Sequence, residues 1–185
     1  GDDSLRGRMG PIKITRLETE DVISRAFIKS CEFNQIPFNE DYNGSYTGGV
    51  SQLQLSTFRG MRCGTGRAYL KPIRRRVNLD LRTHAHVTKI VIENNRATGV
   101  WFRQDDTTVQ AVAKREVILS AGALHSPKLL ELSGIGKGEL LKRHDIKVMH
   151  HLPGVGMNLR DHLHCRVSFE TNQHVTVNDL VRNPL

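Results

Sequence analysis

The stretch that decides the fold runs from Val117 to Gly136 and reads VILSAGALHSPKLLELSGIG. Its first three residues form a continuous apolar run, which is typical of a strand buried on both faces. Ser126 predicts a helix N-cap and Pro127 fits the first helical position, so a short helix is expected from there through Leu132. The two glycines that follow predict the end of that helix.

Small side chains separate the predicted strand from the predicted helix, at Ser120, Ala121, Gly122 and Ala123. A helix start beside a glycine, at the carboxyl end of a strand, is where α/β folds bind dinucleotides and anions. The stretch lacks the GxGxxG spacing of the usual dinucleotide fingerprint. From spacing alone, a nucleotide-facing turn and a plain strand–turn–helix therefore remain equally open.

Short strands are predicted on both sides of this stretch. Before it, apolar residues recur at strand spacing in three segments, residues 87–92, 98–102 and 107–112. Asn94 and Asn95 predict a hairpin turn between the first two of these strands. After it, residues 166–177 again predict a strand. We place a boundary near residue 77, between a mixed α/β part and the strand-rich part.

An amphipathic helix is predicted nearer the start of the chain, because one apolar face recurs at helical spacing through Val22, Ile23, Ala26 and Phe27. Thr19 is the expected N-cap of this helix. Glu20 and Asp21 in the first turn are favourable against the helix dipole. Pro37 requires the helix to have ended before it.

The composition of the 185-residue chain limits the classes of site. No apolar run approaches the length of a membrane helix. Cys31, Cys63 and Cys165 are far apart and odd in number, which predicts free thiols and favours a cytoplasmic or peripheral membrane setting over secretion. His84 and His86 alternate along one predicted strand, but no third metal ligand lies near them in the sequence, so no metal site is expected.

The net charge of +8 is concentrated in residues 59–76, which hold seven Arg and Lys residues and no acidic residue. Such a cluster can bind nucleic acid through phosphate contacts. Aromatic residues for base stacking are sparse there, with Phe58 and Tyr69 the nearest. A solvated basic face is therefore favoured, and no nucleic-acid partner is expected.

Four segments together resemble the glucose–methanol–choline (GMC) family of flavin oxidoreductases. The stretch quoted first matches the family's second signature at Ser126, Pro127, Leu129, Leu130, Ser133, Gly134, Ile135 and Gly136. Residues 152–162 resemble the family's LPGVGxNLxDH loop, and residues 78–90 resemble a strand pair of the family. Residues 60–72 resemble its GxRxSTAxAYLxP motif, with departures at Gly64 and Gly66.

The resemblance implies a mixed α/β (α+β) fold: part of an FAD-binding Rossmann-like domain and part of a substrate domain with an antiparallel sheet. Residues 77–165 would belong to the FAD-binding domain, and residues 1–76 and 166–185 to the substrate domain. FAD is the implied cofactor. The implied cofactor-binding residues are Val87, Ala121, Gly122, Ser126, Asn158 and Asp161.

The implied reaction is the oxidation of a primary alcohol, choline-like or other, to an aldehyde, with hydride transfer to the flavin and an electron acceptor that the sequence does not specify. The family's GxGxxG unit and its catalytic histidine segment match no residues here, so no catalytic residue is assigned. We expect those parts elsewhere in a longer polypeptide, and expect this portion alone to be inactive. The alternatives are a non-catalytic basic binding module and an inactive family remnant.

Overall fold

The structure is a computed structural model that describes residues 4–17, 21–173 and 175–176. The chain divides into two compact units, one formed by Gly1–Asp80 and Val167–Leu185 and the other by Leu81–Arg166. Each unit combines helices with small sheets, which are antiparallel apart from one short parallel pair in the second. In the part of the chain that is described, no helix is both long and apolar enough to cross a bilayer.

The first unit holds one long helix and short strand pairs. Helix α1 spans Val22–Phe33. Strand β1 (Thr15–Arg16) pairs with β2 (Gln54–Leu55), and β3 (Thr57–Phe58) pairs with β4 (Met61–Arg62). A π-helical turn, Gly66–Leu70, leads into the short helix α2, Lys71–Ile73.

Helix α1 begins where local sequence signals place it, although the capping residue differs. The side chain of Asp21 accepts a hydrogen bond from the backbone amide of Ser24 at 2.8 Å, so Asp21 is the N-cap and does not belong to the first turn. The expected cap, Thr19, lies outside the described residues. The pKa of Asp21 is lowered, first by the hydrogen bond from the Ser24 side chain and then by that from its amide.

The second unit is built on a three-stranded antiparallel sheet, β5 (Ala85–Glu93), β6 (Arg96–Gln104) and β7 (Thr107–Val112), in that order. The hairpin at Asn94 and Asn95 is confirmed, since both residues have positive φ, as a tight two-residue hairpin turn requires. β7 has the predicted bounds, and β6 extends two residues beyond each predicted end.

Helix α3 (Gly122–Leu132), strand β8 (Ile135–Gly136), helix α4 (Gly138–Arg143) and strand β9 (His150–His151) complete the second unit. The expected N-cap position of Ser126 is wrong, because the N-cap is Ala121, five residues earlier. Pro127 lies inside the helix, where it removes one backbone hydrogen bond. The predicted end is confirmed, with Ser133 as C-cap and Gly134 at a φ of +88°.

Two predicted strands are not formed. Residues 117–119 pair with no strand of the described chain, and Ile118 is 79% exposed. A strand needs neighbours for its backbone hydrogen bonds, and an apolar run cannot supply them by itself. In residues 166–177, none of the described positions belongs to a strand; position 174 and position 177 lie outside the described residues.

Candidate cofactor site

The turn before helix α3 presents bare backbone to solvent. Ala121 is the N-cap and Gly122 the first helical residue, and both are exposed. Gly122 has a φ of +84°, and a Cβ placed on it would have no atom within 4 Å. The first N–H groups of an α-helix lack intrahelical partners and carry partial positive charge. Open space in front of such groups suits a phosphate or another anion.

Strand β5 offers a second backbone surface, because it lies at the edge of the sheet. Val87 is opposite Phe102 and Ile90 opposite Val100, with the register shift between them. Val100 and Phe102 are two residues apart on β6, so their backbone groups face the same side. The Ile90 amide points away from β6, where it donates to Ser133. The backbone of Val87 therefore points to that outer edge as well, and its side chain is 36% exposed.

The loop after β9 holds two more of the expected residues. Asn158 is exposed and has a φ of 58°, a conformation that Asn tolerates better than most residues. Asp161 is exposed, and its Oδ1 accepts a hydrogen bond from the backbone amide of His162 at 2.8 Å. This bond ties the loop backbone locally.

A cavity of about 400 Å³ lies between this loop and helix α3. It is lined by Ala123, Leu124, Pro127, Lys128, Glu131, Gly156, Met157 and Leu159. None of the six residues expected to contact the cofactor lines it. Ser126 is half-buried in the second turn of α3, at the fifth helical position. The structure thus brings the loop and the helix together, and leaves Val87, Ala121 and Gly122 on exposed backbone surfaces.

Sequence reasoning missed Ser133, a buried polar residue of the second unit. It is 2% exposed, and its hydroxyl bonds both to helix α3 and to strand β5. The signal that could have found it is a lone hydroxyl in the apolar run LLELSGIG, since a buried polar group must have a partner.

The histidine pair does not have the expected strand geometry. His84 precedes β5 and has a φ of 55°, so it does not alternate with His86 along a strand. Among the described residues, no three His, Cys, Asp or Glu side chains group to hold a metal ion. The three cysteines are free thiols.

The basic segment of residues 59–76 lies in the first unit, and six of its seven cationic side chains are exposed. Arg59 stacks over the ring of Phe58 at 5.2 Å. Elsewhere in that unit Arg6 pairs with Asp41, and this hydrogen bond is the main reason that the pKa of Asp41 lies below its ordinary value.

An exposed small-residue turn at a helix start and a strand edge at Val87 in the same unit are features that nucleotide-binding α/β proteins use. The comparison with known sequences is more specific, because the GMC oxidoreductase profile matches residues 3–164. The chain belongs to the GMC oxidoreductase family. The mixed α/β fold expected from the sequence is confirmed by its structural neighbours.

Relatives and a solved structure support this assignment. The chain is 38% identical to mitochondrial choline dehydrogenase of Mus musculus over 177 residues, which is 96% of this chain and 30% of that protein. It is 36% identical to alcohol dehydrogenase [acceptor] of Pseudomonas putida, over 94% of this chain and 32% of that protein. An FAD-dependent oxidoreductase from Chaetomium thermophilum superposes with a TM-score of 0.81 at 30% identity, over 86% of this chain and 28% of that one.

The chain spans about 30% of the length of the curated relatives that it matches. FAD is the cofactor that the family and the similar structures support. The residues present fit this group: open backbone before α3 suits a diphosphate, and the outer edge of β5 at Val87 suits an adenine ring, which hydrogen-bonds to backbone. Membership of the family does not favour the alternative of a basic binding module.

Proposed function

We propose that this chain forms part of an FAD-dependent oxidoreductase that oxidises the CH–OH group of a primary alcohol, choline-like or other, to an aldehyde. The observation that carries the proposal is the exposed Ala121–Gly122 turn in a unit whose sequence belongs to the GMC oxidoreductase family. The names of the relatives, choline dehydrogenase and alcohol dehydrogenase, supply the substrate class.

The two units have different roles in this proposal. The unit Leu81–Arg166 holds part of FAD, and the other unit contributes to the substrate site. The outer backbone edge at Val87 contacts the adenine. The backbone at Ala121 and Gly122 approaches the adenosine or diphosphate part, because neither residue has a side chain large enough to keep it away. Ser126, Asn158 and Asp161 shape the same site from helix α3 and the following loop.

FAD supplies the hydride acceptor, flavin N5, when it is bound. With FAD held at Val87 and at the Ala121–Gly122 turn, the flavin would accept the hydride of the alcohol carbon and a base would take the hydroxyl proton, so that the two-electron oxidation would give an aldehyde. We assign no residue of this chain as that base. The part of this chain is to bind and orient the cofactor, which lowers the barrier by fixing the distance between the reacting atoms.

Anaerobic reduction tests the proposed reaction. Full-length protein reconstituted with FAD is mixed with choline, with an aliphatic primary alcohol and with a tertiary alcohol as the control. Bleaching of the visible flavin band by a primary alcohol, with formation of the aldehyde, is the expected result. The tertiary alcohol has no hydrogen on its carbinol carbon that could leave as hydride, so it is expected to leave the band unchanged. Full flavin binding without bleaching by any primary alcohol would leave the inactive remnant as the better interpretation.

A polypeptide of these 185 residues alone is expected neither to retain FAD nor to oxidise alcohol. The support is the share of the relatives that it spans, about 30%. The measurement is alcohol-dependent dye reduction by the purified 185-residue polypeptide, with added FAD, beside the full-length protein. Steady turnover by the shorter polypeptide would contradict this expectation.

A further inference from the structure

Ser133 joins two elements of the second unit through one hydroxyl group. Its Oγ donates to the carbonyl of Leu129 at 2.6 Å, which lies within the preceding helix. The same oxygen accepts from the backbone amide of Ile90 at 2.8 Å, a residue 43 positions earlier in the chain. A serine hydroxyl offers one donor and two acceptor sites. Both roles are therefore used at a side chain that is only 2% exposed.

Closing the end of helix α3 does not require this side chain. The backbone amide of Ser133 already bonds to the carbonyls of Leu129 and Leu130, at 3.1 and 3.0 Å. What the hydroxyl adds is the partner for Ile90, which is itself buried and whose amide points away from β6. Without that oxygen, the Ile90 amide loses this partner in a buried position, which is costly.

The bond also decides which part of the β5 edge remains available. Ile90 is occupied by Ser133, whereas Val87, on the same outer edge, lies before the point where α3 is attached. Helix α3 is a continuous element of 11 residues that carries the exposed turn at Gly122 at its other end. Because a helix has a fixed rise per residue, attaching its C-terminal end to β5 limits how far that turn can lie from Val87.

We propose that Ser133 is a positioning residue for FAD: its hydroxyl holds helix α3 against strand β5, so that the Gly122 turn and the Val87 edge address the same adenosine diphosphate portion. The inference rests on the proposed placement of FAD described above. It predicts that loss of the hydroxyl weakens binding of the adenosine diphosphate half of the cofactor by more than the loss of stability explains.

The test uses Ser133→Ala in the full-length protein, prepared as apoprotein. The affinity for FAD is measured by flavin fluorescence, and the affinity for ADP is measured by its displacement of FAD. Leu129→Ala is the matched control, because Leu129 is a buried residue of the same helix and its truncation leaves the Ser133 hydroxyl in place. Hydrogen exchange at the Ile90 amide reports directly whether the bond is broken.

Ser133→Ala is expected to raise the dissociation constants of both FAD and ADP about tenfold, equivalent to about 1.4 kcal/mol. It is also expected to speed exchange at Ile90. Leu129→Ala is expected to lower thermal stability at least as much, with a smaller change in ADP affinity. Ser133→Thr, which keeps the hydroxyl, is expected to restore slow exchange and ADP affinity towards the wild-type values.

The inference would be overturned if Ser133→Ala and Leu129→Ala lost the same ADP affinity for each degree by which the melting temperature falls. That pattern would indicate a general weakening of the unit. If Ser133→Ala does not fold, Ser133→Cys replaces it, because a thiol keeps the shape and is a weak acceptor; unchanged ADP affinity with fast exchange at Ile90 would then overturn it. Wild-type protein that binds FAD but not ADP would instead refute the proposed placement of the adenosine diphosphate part.

Discussion

Helices α1 and α3 are almost equal in length and are held in place in opposite ways. Helix α1 has a side-chain cap at Asp21 and an apolar stripe, yet none of its residues is buried and Phe27 is 61% exposed. Helix α3 has no side-chain cap and contains a proline, yet it buries Leu129 and ends at Ser133, which is tied to β5. Local signals define the first helix, and contacts with distant residues define the second.

The difference explains which helix the sequence predicted well. The helix from Val22 was expected from its apolar spacing, and the structure confirms it. The start of the other helix was expected at Ser126 and lies at Gly122. A serine followed by proline fits a helix start, but nothing forces a helix to begin there when the preceding residues can also be helical.

The largest effect is expected where α3 ends. A Cβ on Gly134 would lie 2.4 Å from the carbonyl oxygen of Lys147, and the φ of +88° is itself unfavourable for alanine. Gly134→Ala is expected to lower the free energy of unfolding by about 3 kcal/mol or more. Gly122→Ala is the control, because its φ is similar but its surroundings are open, so about 1–2 kcal/mol is expected. Urea unfolding of both variants measures the difference.

Equal destabilisation by the two glycine variants would show that the close approach of the Lys147 carbonyl adds no cost at Gly134 beyond that of the positive φ. The same Gly122→Ala protein offers a second reading. If the turn faces the diphosphate, the free energy of FAD binding to this variant falls by more than its free energy of unfolding. Unchanged FAD affinity would show that the turn faces away from the cofactor.

A smaller effect is expected at the cap of α1. Because the pKa of Asp21 in the folded chain lies below its ordinary value of 3.8, its contribution to stability is present above that value. The contribution is lost as the pH falls through the lower, folded pKa. Asp21→Ala is expected to remove this pH dependence and to reduce the helical circular dichroism signal and the melting temperature modestly.

Asp21→Asn is the matched control, since Asn is an equally good N-cap that does not titrate in this range. It is expected to keep the helical circular dichroism signal and to lose the acid-dependent part of the stability. Melting curves of both proteins, recorded on both sides of pH 3.8, measure how far the melting temperature depends on acid. A wild-type and an Asp21→Asn protein with the same acid profile would show that Asp21 is not the titrating group.

The smallest effect is expected on the apolar face of α1. Phe27 is 61% exposed in this chain, so Phe27→Ser should change the free energy of unfolding of the 185-residue polypeptide by no more than about 0.5 kcal/mol. Leu129→Ala in α3 provides the comparison, with an expected loss of about 2–5 kcal/mol. A loss of similar size at both positions would mean that Phe27 is packed and that α1 is held as firmly as α3.

The candidate site was predictable only in part. The family resemblance implied Ala121 and Gly122, whose small size leaves the backbone accessible, and both do lie on exposed backbone. The contribution of Ser133 was not predictable, because its partner is 43 residues away and nothing near either residue indicates the pairing. The assignment of the six cofactor-binding residues stays a prediction, and the affinity measurements above test it at the Gly122 turn.

By itself, the sequence determined the features that depend on neighbours within a few residues: helix α1 from its apolar spacing, the hairpin from Asn94 and Asn95, and the family from runs of matching residues. Only the tertiary structure decided where α3 begins, why Gly134 must lack a side chain and which amides of β5 remain open at its edge. The physical reason is the distance along the chain over which each interaction acts. A cap or a turn acts through adjacent backbone, whereas a buried hydroxyl finds its partner only after distant segments have packed.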